Sequence, residues 1–296
     1  MRARTARTPL CAAGLTAIAA AALAGCAAAG SGTAATGTGP SAAAASSPLD
    51  AVQLAAKTTG GASSFTGTMS LRVTAKPGAA SSGNVSMTAT MAERLRPSLL
   101  AEVQIGTLSA AGQSLPGGLA EVVTPSNIYL KWSLLSQELH TGKPWLVVPV
   151  SAVSKSSGIN LSQLFSQATS SSPLNESQLL TGATGVRKVG TGTIDGAAVT
   201  EYTGTVSLSK GMQYLTGSAR SAMQKEITAA GLTTATFTVW VDGQRVMRKA
   251  VMTESGTAVT EVITVSISSL NQPVSIQVPA ADQTAPLPSD ALGSVG

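Results

Sequence analysis

The sequence predicts an α+β fold in which a large antiparallel sheet is accompanied by a few helices. One observation is the alternation of apolar and polar residues, as over residues 65–74, which is typical of a half-buried strand. A second is two Asp-Gly pairs, Asp195-Gly196 and Asp242-Gly243, each between two alternating runs, which predict β-hairpins. A third is one amphipathic stripe over residues 211–230, which predicts a helix packed on the sheet.

The first 25 residues have the order of a lipoprotein signal peptide. Three arginines among the first seven residues precede an apolar run over 10–23, which is too short to span a bilayer. Leu-Ala-Gly-Cys at residues 23–26 then forms a lipobox. We expect cleavage after residue 25 and a diacylglyceryl lipid, with acyl chains such as palmitate, on Cys26. The alternative is an ordinary signal cleaved nearby, with Cys26 left as a free thiol.

A lipoprotein signal peptide predicts that the chain lies on the extracytoplasmic face of the cell membrane and is held there by its lipid. Loss of the three arginines lowers the formal charge from +5 to +2, and a chain so close to neutral does not indicate a nucleic-acid partner. Cys11 leaves with the signal and Cys26 is consumed, so no disulfide is expected. Hydrophobic residues make up 43% of the chain but aromatic residues only 3%, which predicts a core of aliphatic side chains and methionine.

The rest of the chain divides into three parts. Residues 26–48 hold the lipidated cysteine and a run of mostly Ala, Gly, Ser and Thr, which is typical of a flexible tether. Residues 49–279 form the predicted domain, and residues 280–296 a loose tail. Inside the domain a short helix is expected from Asp50 to about Thr58.

Alternation and turn residues then place the strands. They are expected at 65–74, 85–91, 99–105, 122–123, 128–132, 145–148, 186–194, 198–206, 236–241, 245–252, 259–268 and 274–278. Helices interrupt them at 161–168, where Asn160 is a candidate N-cap, at 175–181, and at 211–230, where Gly231 ends the amphipathic stripe.

Catalytic patterns are weak in this sequence. The single histidine, His140, stands in a polar stretch, and no cluster has metal-ligand spacing. Residues 207–210 fit the S-x-x-K pattern of penicillin-interacting enzymes, but the companion S-D-N and K-T-G elements are missing. Glycoside hydrolysis by a pair of carboxylates remains an open alternative, because the sequence does not give the distance between them. We therefore expect a protein without enzymatic activity, metal or cofactor.

Methionines stand at inward-facing positions of the predicted strands and helix. Met69, Met87, Met91 and Met223 follow this pattern, with Met247 as a further candidate. Methionine is flexible and polarisable, so it suits surfaces that accommodate irregular apolar partners; it also fills ordinary cores. A sheet that wraps helices without closing would leave an apolar cavity between them, and this is our hypothesis for the domain.

The order of several short motifs resembles the actinobacterial lipoprotein family LppX/LprAFG, whose fold is similar to that of the LolA and LolB carriers. The motifs are Gly-Lys-Pro-Trp-Leu-Val-Val at 142–148, Val-Arg-Lys-Val-Gly at 186–190 leading to Ile-Asp-Gly at 194–196, Glu-Tyr-Thr-Gly-Thr-Val at 201–206, Val-Trp-Val-Asp-Gly at 239–243, and Gln-Pro-Val-Ser-Ile-Gln-Val-Pro at 272–279. The resemblance covers nearly all of residues 49–279.

The resemblance implies a strongly curved antiparallel sheet, a half-open β-barrel, with helices packed on its concave side. It also implies an apolar cavity for the acyl chains of a lipid or lipoglycan, and no catalytic residues. The candidates for lining residues follow from alternation alone. They are Met69, Leu71, Met87, Met91, Ile105, Leu130, Leu164, Phe165, Met223, Ile227 and Phe237.

The sequence therefore predicts a membrane-anchored lipoprotein that binds or carries an acylated lipid or lipoglycan. The alternative is a structural or regulatory envelope lipoprotein that binds another protein and has a filled core.

Overall fold

One open sheet dominates the computed structural model, which describes residues 47–77, 84–115, 118–150, 177–215, 220–221, 224, 227–228 and 231–288. Its strands are β1 (Ser64–Ala75), β2 (Val85–Arg94), β3 (Leu100–Ala110), β4 (Gln113–Leu115), β5 (Leu119–Val123), β6 (Asn127–Lys131), β7 (Trp145–Pro149), β8 (Ala183–Ile194), β9 (Ala197–Ser207), β10 (Thr234–Asp242), β11 (Met247–Ser255), β12 (Val259–Leu270) and β13 (Thr284–Pro286).

The strand order is β13-β7-β6-β5-β3-β2-β1-β12-β11-β10-β9-β8, with β4 paired to β3. Every pairing is antiparallel except that of β13 with β7. The two ends of this order, β13 and β8, do not pair with each other. The sheet is therefore large, curved and not closed, and the predicted fold class is confirmed.

The first helix, α1 (Pro48–Gly60), starts where the predicted tether ends. Ser47 is its N-cap, with the hydroxyl accepting a 3.2 Å hydrogen bond from the Asp50 N–H. Proline at the first helical position lacks only an N–H that would have no partner there. The helix packs chiefly against β8 and the 3-10 turn Leu180–Gly182, and it also contacts β10 and β11. The helix predicted from Asp50 is confirmed, with a slightly earlier start.

Both predicted Asp-Gly hairpins form, with different turns. Asp195 and Gly196 have φ values of 48° and 79° and join β8 to β9 directly, as a type I′ turn requires. After Asp242 the turn is longer, and the residue with positive φ is Arg245, at 63°. The Asp242 carboxylate accepts bonds from the backbone N–H of residues 244 and 246. This carboxylate therefore holds together a loop that is longer than the predicted two-residue turn.

Apolar side chains on one face of the sheet form two clusters. We call this the inner face, and the opposite one the outer face. The first cluster joins α1 and residues 179–180 to strands β8–β11. The second contains Ala62 and residues of β1, β2, β3, β5, β6 and β12. The core is thus divided between the two arms of the sheet.

Three predictions about elements were wrong. Residues 274–278 are not a strand; they lie between Pro273 and Pro279, and proline has no N–H for a ladder. In the tail expected to be loose, residues 284–286 form β13 on β7, and Lys143 Nζ donates to the Asp282 carbonyl at 2.6 Å; residues 289–296 lie outside the described residues. Helix 211–230 is interrupted, because Leu215 is extended after α3 (Leu208–Gly211) and a 3-10 turn.

The other helix predictions have mixed outcomes. The described residues between 220 and 228 are helical, and Gly231 has a φ of 64° just after them, so the predicted stop is confirmed. Residues 177–182 are helical or 3-10, in agreement with the helix expected at 175–181. The helix expected at 161–168 lies outside the described residues. Helix α2 (Ser133–Glu138) was not predicted.

Candidate functional site

The predicted lining residues of the N-terminal strands come together on the inner face. Met87, Met91 and Ile105 are buried members of the second cluster, and Met69 and Leu71 are half-buried against it. Strand register explains this, since Met69 is opposite Ala89 and Leu71 is opposite Met87. Alternation placed these five side chains on the same face.

The remaining candidates are scattered. Phe237 and Ile227 belong to the first cluster and are buried. Leu130 on β6 is half-buried, between Glu121 and Leu146 in the register. Cys26, Leu164, Phe165 and Met223 lie outside the described residues. The described candidates other than Leu130 therefore divide between the two clusters, and their role in binding stays a prediction.

The second cluster includes apolar side chains that are not fully covered. Besides Met69 and Leu71, they include Leu119 on β5, Ile128 on β6 and Ile263 on β12. In the first cluster, α1 lies over the sheet. Partly exposed apolar surface of this kind is what an apolar ligand would cover.

A narrow crevice lies where the two clusters meet. Thr59, Ser177 and Leu180 form one wall. The other wall is formed by Met247, Ala250, Met252, Ile263, Val265 and Ile267. Its volume is about 30 Å³, which is room for about one water. In this crevice the described residues leave no space for an acyl chain.

Several glutamates face inward, which sequence reasoning missed. Glu121 on β5 is opposite Val103 and Leu130, and burial raises its pKa from 4.5 to about 7. Glu93 is fully buried beside Phe65 in the register. Glu254 and Glu261 face each other across β11 and β12. Each of these glutamates stands at a position of the alternating pattern where an apolar residue is expected. The strand register was needed to show that these positions face inward.

The weak catalytic motifs do not assemble into a site. His140 is exposed after α2, with Nδ1 2.9 Å from the Glu138 carbonyl oxygen. The Ser207 hydroxyl pairs with that of Ser209 at 2.9 Å, and Lys210 is exposed. Within the described ranges, no group of His, Cys, Asp or Glu is arranged to hold a metal ion. The same residues contain no helix long and apolar enough to cross a membrane.

Comparison with known proteins gives matches only at the level of structure. No protein-family model matches the chain, and no curated protein matches it. The structure is similar to that of the Mycobacterium tuberculosis lipoprotein LppX, with 19% identity, a TM-score of 0.43, and coverage of 78% of this chain and 98% of that one.

Two further solved structures are similar. LprF from Mycobacterium bovis shares 13% identity at a TM-score of 0.44, over 79% of this chain and 97% of that one. A LolA-superfamily protein from Nitrosomonas europaea shares 10% identity at a TM-score of 0.28, over 78% and 94%. The structural neighbours thus include LppX and LprF, which the sequence resemblance predicted. At such identities and scores they show nothing about activity or ligand.

Proposed function

We propose that this chain is a membrane-anchored, extracytoplasmic lipoprotein that binds or carries an acylated lipid or lipoglycan. The observation that carries the proposal is the second cluster, where Met69, Leu71 and Ile263 form a half-buried apolar surface on the inner face. The acyl chain would lie along this surface. The free-energy cost of exposing this apolar surface to water would be removed when the ligand covers it.

The size of the hydrophobic term supports the proposal. Burial of one CH₂ contributes about 0.8 kcal/mol, so a chain of about 16 carbons supplies on the order of 10 kcal/mol before ordering costs. Methionine side chains beside the surface, at 69, 87 and 91, adapt to an irregular chain at low cost. Nothing in this surface selects a head group, so selectivity would come from polar residues at its edge.

The small crevice sets a condition on binding. Because it holds about one water, an acyl chain enters there only if α1 and residues 177–182 separate from β11 and β12. Met69 and Leu71 on β1 and Ile263 on β12 offer an adjoining half-buried surface without that movement. We therefore place the ligand beside the crevice and not inside it.

The anchor is part of the same proposal. Lipid on Cys26 would hold the chain to the membrane, and residues 26–48 would connect it to the start of α1. A diacylglyceryl group has two acyl chains, which hold a protein at a bilayer far better than one. The domain would then meet lipid donors at the membrane surface.

The test is uptake of a fluorescent fatty acid by the chain from Ser47 onward, which keeps the α1 cap, followed by native mass spectrometry for bound lipid. Leu71→Lys puts a charge on the inner face of β1 and is expected to abolish uptake. Thr74→Lys, exposed on the outer face of the same strand, is the matched control and should bind normally. Equal uptake by both variants would show that the inner face is not the site.

A second function is favoured by one observation, the near-filled crevice of about 30 Å³. It is consistent with a structural or regulatory envelope lipoprotein that binds another protein. The same assay separates the two: a protein that stays free of lipid and takes up no fatty acid supports protein binding.

A further inference from the structure

The outer face of the sheet contains a trough lined by both polar and apolar residues, most of which the proposed function does not use. It crosses the strands from Thr264 on β12 to Trp145 on β7, and its volume is about 550 Å³. Volumes of this size are typical of small-ligand sites. Most of its lining side chains are on the outer face, and Met69, Ala89, Ile105 and Leu119 of the second cluster also line it.

Strand register builds the trough from one continuous row of side chains. Thr68, Thr90, Gln104, Ala120 and Lys131 are successive cross-strand neighbours, and Thr264 on β12 is opposite Ser70 beside them. The row ends where Lys131 Nζ lies 5.9 Å from the centre of the Trp145 ring. Ala120 is the smallest side chain of the row, and it keeps the trough open between Gln104 and Lys131.

The trough is rich in hydroxyl groups with unused hydrogen-bonding capacity. In the part of the chain that the structure describes, the hydroxyls of Thr68, Ser70, Thr90 and Thr264 have no protein partner. Gln104 Nε2 donates to Glu102 Oε1 at 2.6 Å, which leaves the amide oxygen and a second N–H of Gln104 available. Each such group can both orient and select a polar ligand.

Charge and shape narrow the ligand class. The lining contains one lysine and one glutamate, so it lacks the positive charge that a nucleic acid or another polyanion requires. It contains one aromatic side chain, Trp145 at one end, whereas protein interfaces are dominated by clusters of aromatic and arginine anchors. Hydroxyls along a row and an indole at its end match a ligand with many hydroxyls and an apolar C–H face, which is a sugar chain.

We propose that this trough binds a neutral, extended oligosaccharide or polysaccharide, with its terminal ring stacked on Trp145. The trough crosses seven strands, and six strand spacings correspond to about 29 Å, which accommodates several sugar rings in a row. The trough shares Met69, Ile105 and Leu119 with the second cluster, but its hydroxyl groups and Trp145 are not part of the proposed lipid surface. A protein with both a lipid site and a sugar site would contact membrane lipid and envelope polysaccharide at the same time.

The test uses the full chain in a detergent without a sugar head group. Linear hexasaccharides of β-1,4-linked glucose, α-1,4-linked glucose and α-1,6-linked mannose are titrated to millimolar concentration, with tryptophan fluorescence and calorimetry as readouts. At least one should bind. Trp145→Ala should weaken that binding by about tenfold or more, and Ala120→Trp, which fills the trough, should abolish it.

Trp240→Ala is the matched control. Trp240 is also paired with a lysine, Lys249 Nζ being 5.1 Å from its ring centre, but it lies on β10 outside the trough. Its loss should leave sugar affinity unchanged, and circular dichroism should show all variants folded. The proposal is overturned if no hexasaccharide binds, or if Trp145→Ala and Ala120→Trp bind as well as the unaltered chain. Loss of fatty-acid uptake by Leu71→Lys would not affect either result.

Discussion

Replacement of Gly67 by alanine tests whether the bulge in β1 is needed for the sheet. The register of β1 against β12 shifts between Thr66 and Gly67, and the glycine is buried between Ile267 and Met91. A Cβ on residue 67 would collide with the Ser266 carbonyl oxygen and lie 3.3 Å from its carbon. Both atoms are backbone, so no side-chain rotation relieves the overlap.

The expected loss of stability follows from this geometry. Overpacking a buried site costs about 1–3 kcal/mol, and we expect Gly67→Ala to reach the upper end, about 3 kcal/mol, because two central strands must move apart. Gly192→Ala on the edge strand β8 is the control, since a Cβ added there would meet no other atom within 4 Å. That variant should stay within about 0.5 kcal/mol of the parent.

The assay is urea unfolding of both variants followed by far-ultraviolet circular dichroism. A fall in the midpoint for Gly67→Ala, with an unchanged slope and an unaffected Gly192→Ala, is the expected result. If Gly67→Ala unfolds at the same urea concentration as the control, the close approach of β1 to β12 at the bulge is not as described.

Three further outcomes are expected. Gly204→Ala should destabilise the chain by about 1–3 kcal/mol, because the new Cβ would lie 2.8 Å from the Phe237 ring; a variant as stable as the parent in urea would contradict this contact. Asp242→Ala removes an acceptor for two backbone N–H groups and an ion pair with Arg248 at 2.7 Å, and thermal unfolding should show a loss of about 2–3 kcal/mol; no loss would refute the role of this carboxylate in the turn. Burial raises the pKa of Glu121 to about 7, so the folded state binds an extra proton between about pH 4.5 and 7, and stability should fall by about 1–3 kcal/mol as the pH rises through that window. Glu121→Gln should flatten this part of the pH profile, and an unchanged profile would show that another group is responsible.

Local patterns predicted the sheet well where the signal lay within one segment. Residues 195–196 form the turn that Asp-Gly favours, and the alternation of residues 65–74 gave the faces of β1 correctly. Gly231 ends its helix because glycine adopts positive φ without strain. These outcomes depend on neighbours in the sequence and not on the rest of the fold.

Features that depend on distant residues were missed or wrong. The alternating run at 274–278 predicted a strand, yet no strand among the described residues pairs with it. Residues 284–286, in contrast, pair with the edge of β7. Glu121 was not anticipated as an inward carboxyl, because its face is set by pairing with Val103. Cross-strand pairing also creates the outer trough, whose lining residues are spread over residues 68–264.

The candidate lining residues were predicted with partial success for the same reason. Alternation alone grouped Met69, Leu71, Met87, Met91 and Ile105 on one face. It did not show that Phe237 and Ile227 pack into a separate cluster with α1. The division of the core into two clusters follows from which strands the helix covers, and that is a property of the whole topology.

Photochemical labelling tests the central claim most directly. The chain is incubated with a fatty acid that carries a diazirine on its acyl chain, irradiated and digested, and the labelled peptides are identified by mass spectrometry. Labels on inner-face residues of β1, β2 and β12, such as Met69, Leu71 and Ile263, are the expected result. Labels confined to the outer face, or none above an unfolded control, would contradict an acyl-binding surface inside the open sheet.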